Sequence, residues 1–115
     1  MPLDETDSAY LWDMLQACQA VLRFVAGISR DDYLHNEVVQ AAVERKLEIV
    51  GEAARRVSAD LQRSSSEIPW SKIRGQRHVL AHDYGRIEHD RLWVVVTQDL
   101  PKLIAQIEHL MHQTE

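Results

Sequence analysis

The sequence predicts a single all-α domain over residues 1–115, folded as an up-and-down bundle of four to five helices. Two observations carry this prediction. Apolar residues recur at steps of three and four along most of the chain, which is the period of one helix face. The β-branched run Trp93–Thr97 has no second run with which to pair, and a lone strand is not stable, so helix is favoured there too.

Two long helices are predicted in the first half of the chain. The first begins near Thr6–Ser8 and ends near Gly27, and the polar turn Ser29–Asp32 follows. The second runs from about Asn36 to about Asp60. Their apolar positions are Leu11, Leu15, Cys18, Leu22 and Val25, then Val39, Val43, Leu47, Val50, Ala54 and Val57. The charged positions of the second helix, interpreted as a solvated face, are Glu44, Arg45, Lys46, Glu48, Glu52, Arg55 and Arg56.

The second half of the chain predicts a loop and two further helical segments. The stretch Arg63–Pro69 has loop composition, and Pro69 suits the first turn of a helix. A short third helix is therefore predicted from about Trp70 to His82, ended by the turn 83–85. The last segment, with apolar positions from Leu92 to Leu110, is predicted to kink or break at Pro101, since proline removes a backbone hydrogen bond.

Composition and charge exclude several classes of protein. The 115 residues include one cysteine, Cys18, so neither an internal disulfide nor a cysteine-based zinc site is expected. The acidic N-terminus and the lack of a long apolar run predict a cytoplasmic protein without a membrane segment. The net charge of −5 argues against a wholly basic, nucleic-acid-binding surface, yet residues 68–82 carry three positive charges and no acid.

The predicted third helix holds the main concentration of reactive side chains. At 100° per residue these side chains share a sector about 140° wide; they are Arg74, Arg77, His78 and His82. Guanidinium groups offer forked donors to phosphate oxygens, and imidazoles exchange protons near neutral pH, so the set suits phosphate chemistry. The alternative is a solvated basic face without function. His78 and His82 are also spaced to chelate a metal, but no third ligand follows at a recognisable spacing, and no metal or cofactor is expected.

The spacing of Arg77 and His82 points to an oligomer. Five residues separate them, which corresponds to about 140° around a helix and about 7.5 Å along it, so one helix does not aim both at a single phosphorus. Either the helix unwinds before His82, or a second copy of the chain completes the site. A two-fold homodimer would bring two copies of this patch around one cleft.

The motif residues resemble those of a known family. Arg77-His-Val-Leu-Ala-His82-Asp-Tyr84 resembles the Arg-x4-His-x-Tyr motif of the HepT toxins, in the HEPN superfamily of all-helical RNA-cleaving and nucleotide-binding proteins. The runs 42–54 and 68–70 resemble two further signatures of that family. The resemblance extends from about Tyr10 to Leu110, and the three signatures occur in the family's order.

This resemblance implies a dimeric helical-bundle toxin that cleaves RNA without a metal. It implies that Arg77 and His82 are catalytic, with His78 and Arg74 as candidate supporting residues. The usual partner in the family is a minimal nucleotidyltransferase antitoxin of the MNT type, which would transfer AMP from ATP to Tyr84. This chain has His78 where many relatives have Asn or Asp, which leaves the role of that position open. The alternative function is a non-catalytic helical module that binds a nucleotide or a partner protein.

Overall fold

The computed structural model describes residues 3–82 and 88–112, with side chains except at positions 78, 79, 81 and 82. These ranges are helical, contain no strand and confirm the all-α class. The helices are α1 (Glu5–Val25), α2 (Arg30–Leu34), α3 (Glu37–Arg56), α4 (Ala59–Ser64), α5 (Trp70–His82), α6 (His89–Val94) and α7 (Leu100–His112), with a π-helical turn at Val95–Asp99 between the last two.

Helix α1 begins and ends close to its predicted bounds because both ends carry local signals. The carboxylate of Asp4 accepts a hydrogen bond from the backbone N–H of Thr6 at 2.8 Å, which caps the first turn. After Val25 the chain turns at Gly27, whose φ of 79° is a left-handed conformation that favours glycine. The apolar stripe of this capped helix packs in the core.

Helix α3 is shorter than predicted. It begins after Asn36, whose side chain accepts from the N–H of Val39, as expected for a cap. It ends at Arg56 and not near Asp60, because the N–H and hydroxyl of Ser58 both donate to the Asp7 carboxylate of α1, at 2.8 and 2.6 Å. A contact between residues far apart in the sequence thus breaks the helix that the apolar periodicity predicts as continuous.

Two short helices lie where the sequence predicts none: α2 overlaps the predicted polar turn, and α4 begins at the predicted end of the second helix and extends to the start of the predicted loop. Ser29 and Asp32 cap each other's backbone N–H groups at the start of α2, which makes the polar turn a capping box. Ser58 caps α4 by accepting from the N–H of Leu61. Gln62 of α4 donates to the carbonyls of Ala54 and Val57 and so satisfies the end of α3.

Helix α5 has the predicted bounds, Trp70–His82. Its start is fixed by Trp70, which is buried and donates from its indole N–H to the carbonyl of Ser65 at 3.0 Å. The predicted terminating turn at 83–85 lies outside the described residues. Helix α5 is the element that carries Arg74, Arg77, His78 and His82 in the predicted order.

The last helical segment does not break at Pro101. A π-helical turn precedes the proline, and the N–H of Leu100 bonds to the carbonyl of Val95, five residues back. Pro101 then lies in the first turn of α7, where a missing N–H is tolerated. The run 93–97 is helical, as expected from its lack of a pairing partner.

Helix α3 lies at the centre of the fold and packs against both α1 and α5, while α7 packs against α1. The core between them is apolar, and its largest fully buried side chains include Tyr33, Leu11, Met14, Ile68, Leu80 and Ile107. No helix in the described part of the chain has the length and apolarity needed to cross a bilayer. The α3–α5 contact matters most here, since it determines where Arg77 lies.

Candidate active site

Arg77 lies at a close contact between α5 and α3. This contact is made possible by Gly51, which is buried: a Cβ at that position would lie 2.0 Å from the Arg77 Cβ and 2.6 Å from its Cγ. No ordinary side chain fits in that space. The Cβ and Cγ of Arg77 therefore lie directly against the backbone of α3.

The guanidinium of Arg77 points along α3 to the next residue, Glu52. Its Nη2 lies 3.3 Å from Glu52 Oε2, and the two side chains are 28% and 29% exposed. The sequence stretch around Arg77 has no acid of its own, but the fold brings this one to it from α3. The expectation of a basic patch without a neutralising carboxylate is therefore wrong at Arg77.

Glu52 is shared by three arginines. Its Oε1 accepts from Arg55 Nη2 and Arg56 Nε, each at 2.9 Å, and its Oε2 accepts from Arg55 Nε at 3.3 Å. The hydrogen bonds from Arg55, then those from Arg56, lower the pKa of Glu52 to about 2, with a smaller contribution from the charge of Arg77. The carboxylate is therefore ionised at any physiological pH, and we call these four residues the Glu52 cluster.

An open groove of about 370 Å³ runs beside the Glu52 cluster. It lies between α1, α3 and α5 and is lined by Tyr10, Asp13, Arg45, Glu48, Ile49, Glu52, Ala53, Arg56 and Arg77. The Nε of Arg77 is buried and has no hydrogen-bond partner among the described residues. A guanidinium carries five N–H donors, and the contact with Glu52 involves only Nη2, so other Nη donors of Arg77 remain for an anionic group that enters this groove.

The structure separates Arg74 from Arg77. Arg74 Nη1 donates to the side-chain oxygen of Gln62 on α4, and Arg74 lines a different surface depression, near Trp70. The two arginines predicted to share a sector therefore serve different contacts. His78 and His82 are placed on α5 by its backbone, while their side chains, and Tyr84 altogether, lie outside the described residues.

A comparison with known protein families identifies the family of this chain. The model of the HepT-like ribonuclease family matches residues 14–110. The chain belongs to the HepT-like family. That match spans Gly51, Glu52 and Arg77, and it confirms the resemblance of the chain to the HepT-like family. No solved structure matches the chain.

Three relatives span nearly the whole HepT-like chain. It is 36% identical over 101 residues to a protein of Thermococcus cleftensis named "Probable ribonuclease HepT". The aligned region covers 88% of this chain and 92% of the Thermococcus protein. The chain is 34% identical over 100 residues to a protein of Methanocaldococcus jannaschii named as a candidate RNase, covering 87% and 92%. It is 30% identical to a similarly named protein of Caldanaerobacter subterraneus, covering 95% and 97%.

Sequence reasoning about this HepT-like chain missed Gly51 and Glu52. The sequence places Glu52 on the solvated face of the second helix, although the run 42–54 that carries a family signature contains it. A sharper signal was available, because arginines follow Glu52 at both i+3 and i+4, where each can reach the same carboxylate. No local signal marks Gly51 as the crossing point with α5.

A second polar cluster, made of Tyr33, Glu44 and His89, joins α2, α3 and α6. His89 Nδ1 lies 3.6 Å from Glu44 Oε2, and the rings of Tyr33 and His89 meet edge to face at 6.5 Å. Burial raises the pKa of Glu44, and His89 opposes this shift. The Tyr33 hydroxyl is buried and has no hydrogen-bond partner among the described residues. The sequence assigns no role to Tyr33 or His89, and its placement of Glu44 on a solvated face is wrong, because the fold brings Tyr33 and His89 against that carboxyl group.

The molecule also has an apolar cavity of about 280 Å³ between α3, α5 and the start of α7. Leu47, Val50, Ile73 and Leu103 are among its walls, and the Lys72–Asp99 ion pair lies at its edge with a separation of 3.4 Å. Arg77 does not line it. The groove beside the Glu52 cluster, and not this cavity, is therefore the candidate active site.

Proposed function

We propose that this HepT-like chain is a metal-independent endoribonuclease and the toxin of a toxin–antitoxin pair. The observation that carries the proposal is the position of Arg77, which is held at the edge of an open groove with N–H donors to spare. Membership of the HepT-like family supports RNA as the substrate, as do relatives whose names give them as ribonucleases.

In the proposed reaction His82 transfers a proton and Arg77 stabilises negative charge. His82 takes the proton from a ribose 2′-hydroxyl, whose oxygen attacks the adjacent phosphorus, or returns a proton to the departing 5′-oxygen. Such proton transfer contributes about 10²–10⁴ in rate. Arg77 stabilises the charge that gathers on the phosphorane oxygens, on the order of 10²–10³ for one well-placed donor. The products are a 2′,3′-cyclic phosphate and a 5′-hydroxyl.

A homodimer completes the proposed site. Arg77 and His82 lie five residues apart on α5, so one copy does not direct both at one phosphorus. A two-fold axis that brings two α5 helices together would supply an Arg77 from one copy and a His82 from the other. His78 and Arg74 are proposed as supporting residues, Arg74 through its contact with Gln62 and α4.

The cleavage test uses purified protein and total RNA in EDTA. We expect wild-type protein to degrade the RNA, and Arg77→Ala and His82→Ala proteins to lose at least about 10²-fold in rate. The matched controls are Arg63→Ala and His35→Ala, which remove an exposed arginine and an exposed histidine away from the groove. RNA binding by wild-type protein without cleavage would support the non-catalytic binding module instead.

The proposed regulation is transfer of AMP to Tyr84 by an MNT-type nucleotidyltransferase. Attack of the phenol oxygen on the α-phosphorus of ATP releases pyrophosphate and leaves a phosphodiester with one negative charge. That charge competes with RNA for Arg77. Incubation with the antitoxin, ATP and Mg²⁺ should raise the intact mass by one or more AMP units as RNase activity falls. Tyr84→Phe protein should gain no AMP and stay active, and equal modification of both proteins would contradict the assignment.

A further inference from the structure

Three arginines meet one carboxylate in the Glu52 cluster, but they do not hold it equally. Arg55 and Arg56 each donate to Glu52 Oε1 at 2.9 Å, and both lie on the same helix as Glu52, three and four residues later. Arg77 comes from another helix and reaches Oε2 at the longer distance of 3.3 Å. The carboxylate is thus fixed by its own helix, and Arg77 is the most weakly bound of its three partners.

This unequal sharing lets Arg77 share its charge with a ligand while it keeps its contact with Glu52. If Arg77 were the only partner of Glu52, a phosphate that binds the same guanidinium would leave a partly buried carboxylate poorly compensated, which is costly. Because Arg55 and Arg56 also hold Glu52, the carboxylate remains compensated. The three guanidiniums of the cluster outweigh its one carboxylate by two positive charges, although Asp13 and Glu48 in the groove lining offset part of that charge.

Adjacent residues of α3 control the two ends of the Arg77 side chain. Gly51 admits the Cβ and Cγ against the helix backbone, and Glu52 holds the Nη2 atom. An arginine side chain left free in solvent samples many rotamers, and ordering it costs free energy at the moment of binding. A side chain that is already ordered at both ends loses less conformational entropy when the substrate binds.

We infer that Glu52 is a positioning residue for Arg77: it holds the guanidinium in the direction from which it meets a phosphate in the groove. The inference rests on the proposed ribonuclease function and adds to it a residue that acts through Arg77 and does not touch the RNA. Glu52 has no proton to give because its carboxylate is ionised, and it is a poor base because its oxygens already accept hydrogen bonds from Arg55 and Arg56.

The first test is steady-state cleavage of a fluorogenic RNA oligonucleotide by Glu52→Gln protein. Loss of the negative charge frees Arg77 and leaves three guanidiniums to repel one another, so the rate of the chemical step falls. We expect kcat to fall about 10–10²-fold, as for a misplaced catalytic group, with KM changed less than about threefold. The matched control is Asp60→Asn, which breaks an ion pair of the same i, i+3 kind on α4 and should keep wild-type kcat.

A double-mutant cycle separates positioning from a general structural role. If Glu52 acts through Arg77, adding Glu52→Gln to the Arg77→Ala protein should lower kcat less than about twofold further. Losses that multiply in the double variant would overturn the inference. Wild-type protein that cleaves no RNA would instead overturn the proposed function, so the two failures are distinct.

Arg55→Gln provides the second variant, because it weakens the cluster without removing either Arg77 or its partner. Arg56 still holds Glu52 ionised in this protein, and the Arg77 contact is retained. We expect a similar loss of thermal stability to that of Glu52→Gln but less than about threefold loss of kcat. If both variants lose kcat in proportion to their loss of stability, the cluster only supports the fold and the inference is wrong.

Discussion

Glu44 and Glu52 lie on the same helix, eight residues apart, yet their surroundings shift the pKa values of their carboxyl groups in opposite directions. Glu52 is surrounded by three guanidiniums, and its pKa falls to about 2. Glu44 is 19% exposed beside Tyr33 and a single imidazole, and burial raises its pKa. Partial burial favours the neutral acid unless enough positive charge is brought to it.

The difference shows that α3 supplies carboxyl groups of different behaviour at two places, one at Glu52 and one at Glu44. At Glu52 the helix supplies a permanent charge and its own arginines to hold it, which suits a group that must keep one geometry. At Glu44 it supplies a carboxyl whose protonation is sensitive to its neighbours, and which ties α3 to α6 through His89. The Glu52 cluster holds three guanidiniums around one carboxylate, whereas the Tyr33–Glu44–His89 cluster holds a single imidazole beside its carboxyl group.

The largest expected effect comes from Gly51→Ala. The added Cβ would overlap Arg77, so α3 and α5 must separate, and overpacking of this kind costs about 1–3 kcal/mol. We expect the free energy of unfolding in urea to fall by that amount and RNA cleavage to fall with it. Gly75→Ala is the control: no described atom lies within 4 Å of its added Cβ, and removing a mid-helix glycine should stabilise by about 0.5–1 kcal/mol. Equal effects of the two changes would show that the close crossing is unimportant.

The next prediction concerns the two carboxyl groups directly. In carbon-detected NMR titrations we expect the Glu52 carboxyl to titrate near pH 2 and the Glu44 carboxyl above the usual 4.5. Because folding lowers the pKa of Glu52, its contribution to stability is complete above pH 4.5 and is lost as the pH falls toward 2. Folding raises the pKa of Glu44, so its contribution is present below pH 4.5 and is lost as the pH rises through its folded value. Overlapping titration curves would remove the contrast between the two regions.

The smallest effect is expected at Tyr33. Its hydroxyl is fully buried and, within residues 3–82 and 88–112, has no hydrogen-bond partner, so Tyr33→Phe removes an oxygen that gains nothing from burial. We expect the free energy of unfolding to stay within about 0.5 kcal/mol of wild type or to rise. A loss of more than about 1 kcal/mol in urea unfolding would reveal a partner for the hydroxyl.

Local signals made much of the fold predictable. Helix α5 could be placed from Trp70 to His82 because Pro69 and the loop before it act within a few residues, and α1 because its apolar stripe and Gly27 do the same. The end of α3 could not, because the hydrogen bonds that break it at Ser58 come from Asp7 on another helix.

The candidate site divides in the same way. Arg77 could be singled out from its own neighbourhood in the sequence, since residue type and spacing are local properties. Its partner Glu52 and the opening at Gly51 could not, because both depend on where α3 and α5 cross. The hydrogen bond from Arg74 to Gln62 on α4 is a third contact that the sequence does not predict. Helical periodicity alone places Arg74 beside Arg77.

The link between Asp7 and Ser58 also sets which parts of the molecule open together. The amide of Ser58 donates to a side chain of α1 and not to a carbonyl of α3, so its protection from hydrogen exchange depends on the docking of the first turn of α1. Fraying of that turn would expose this amide and break both hydrogen bonds between Ser58 and Asp7 in one event. The start of the chain and the junction between α3 and α4 thus form one cooperative unit, although 51 positions separate the two residues that join them.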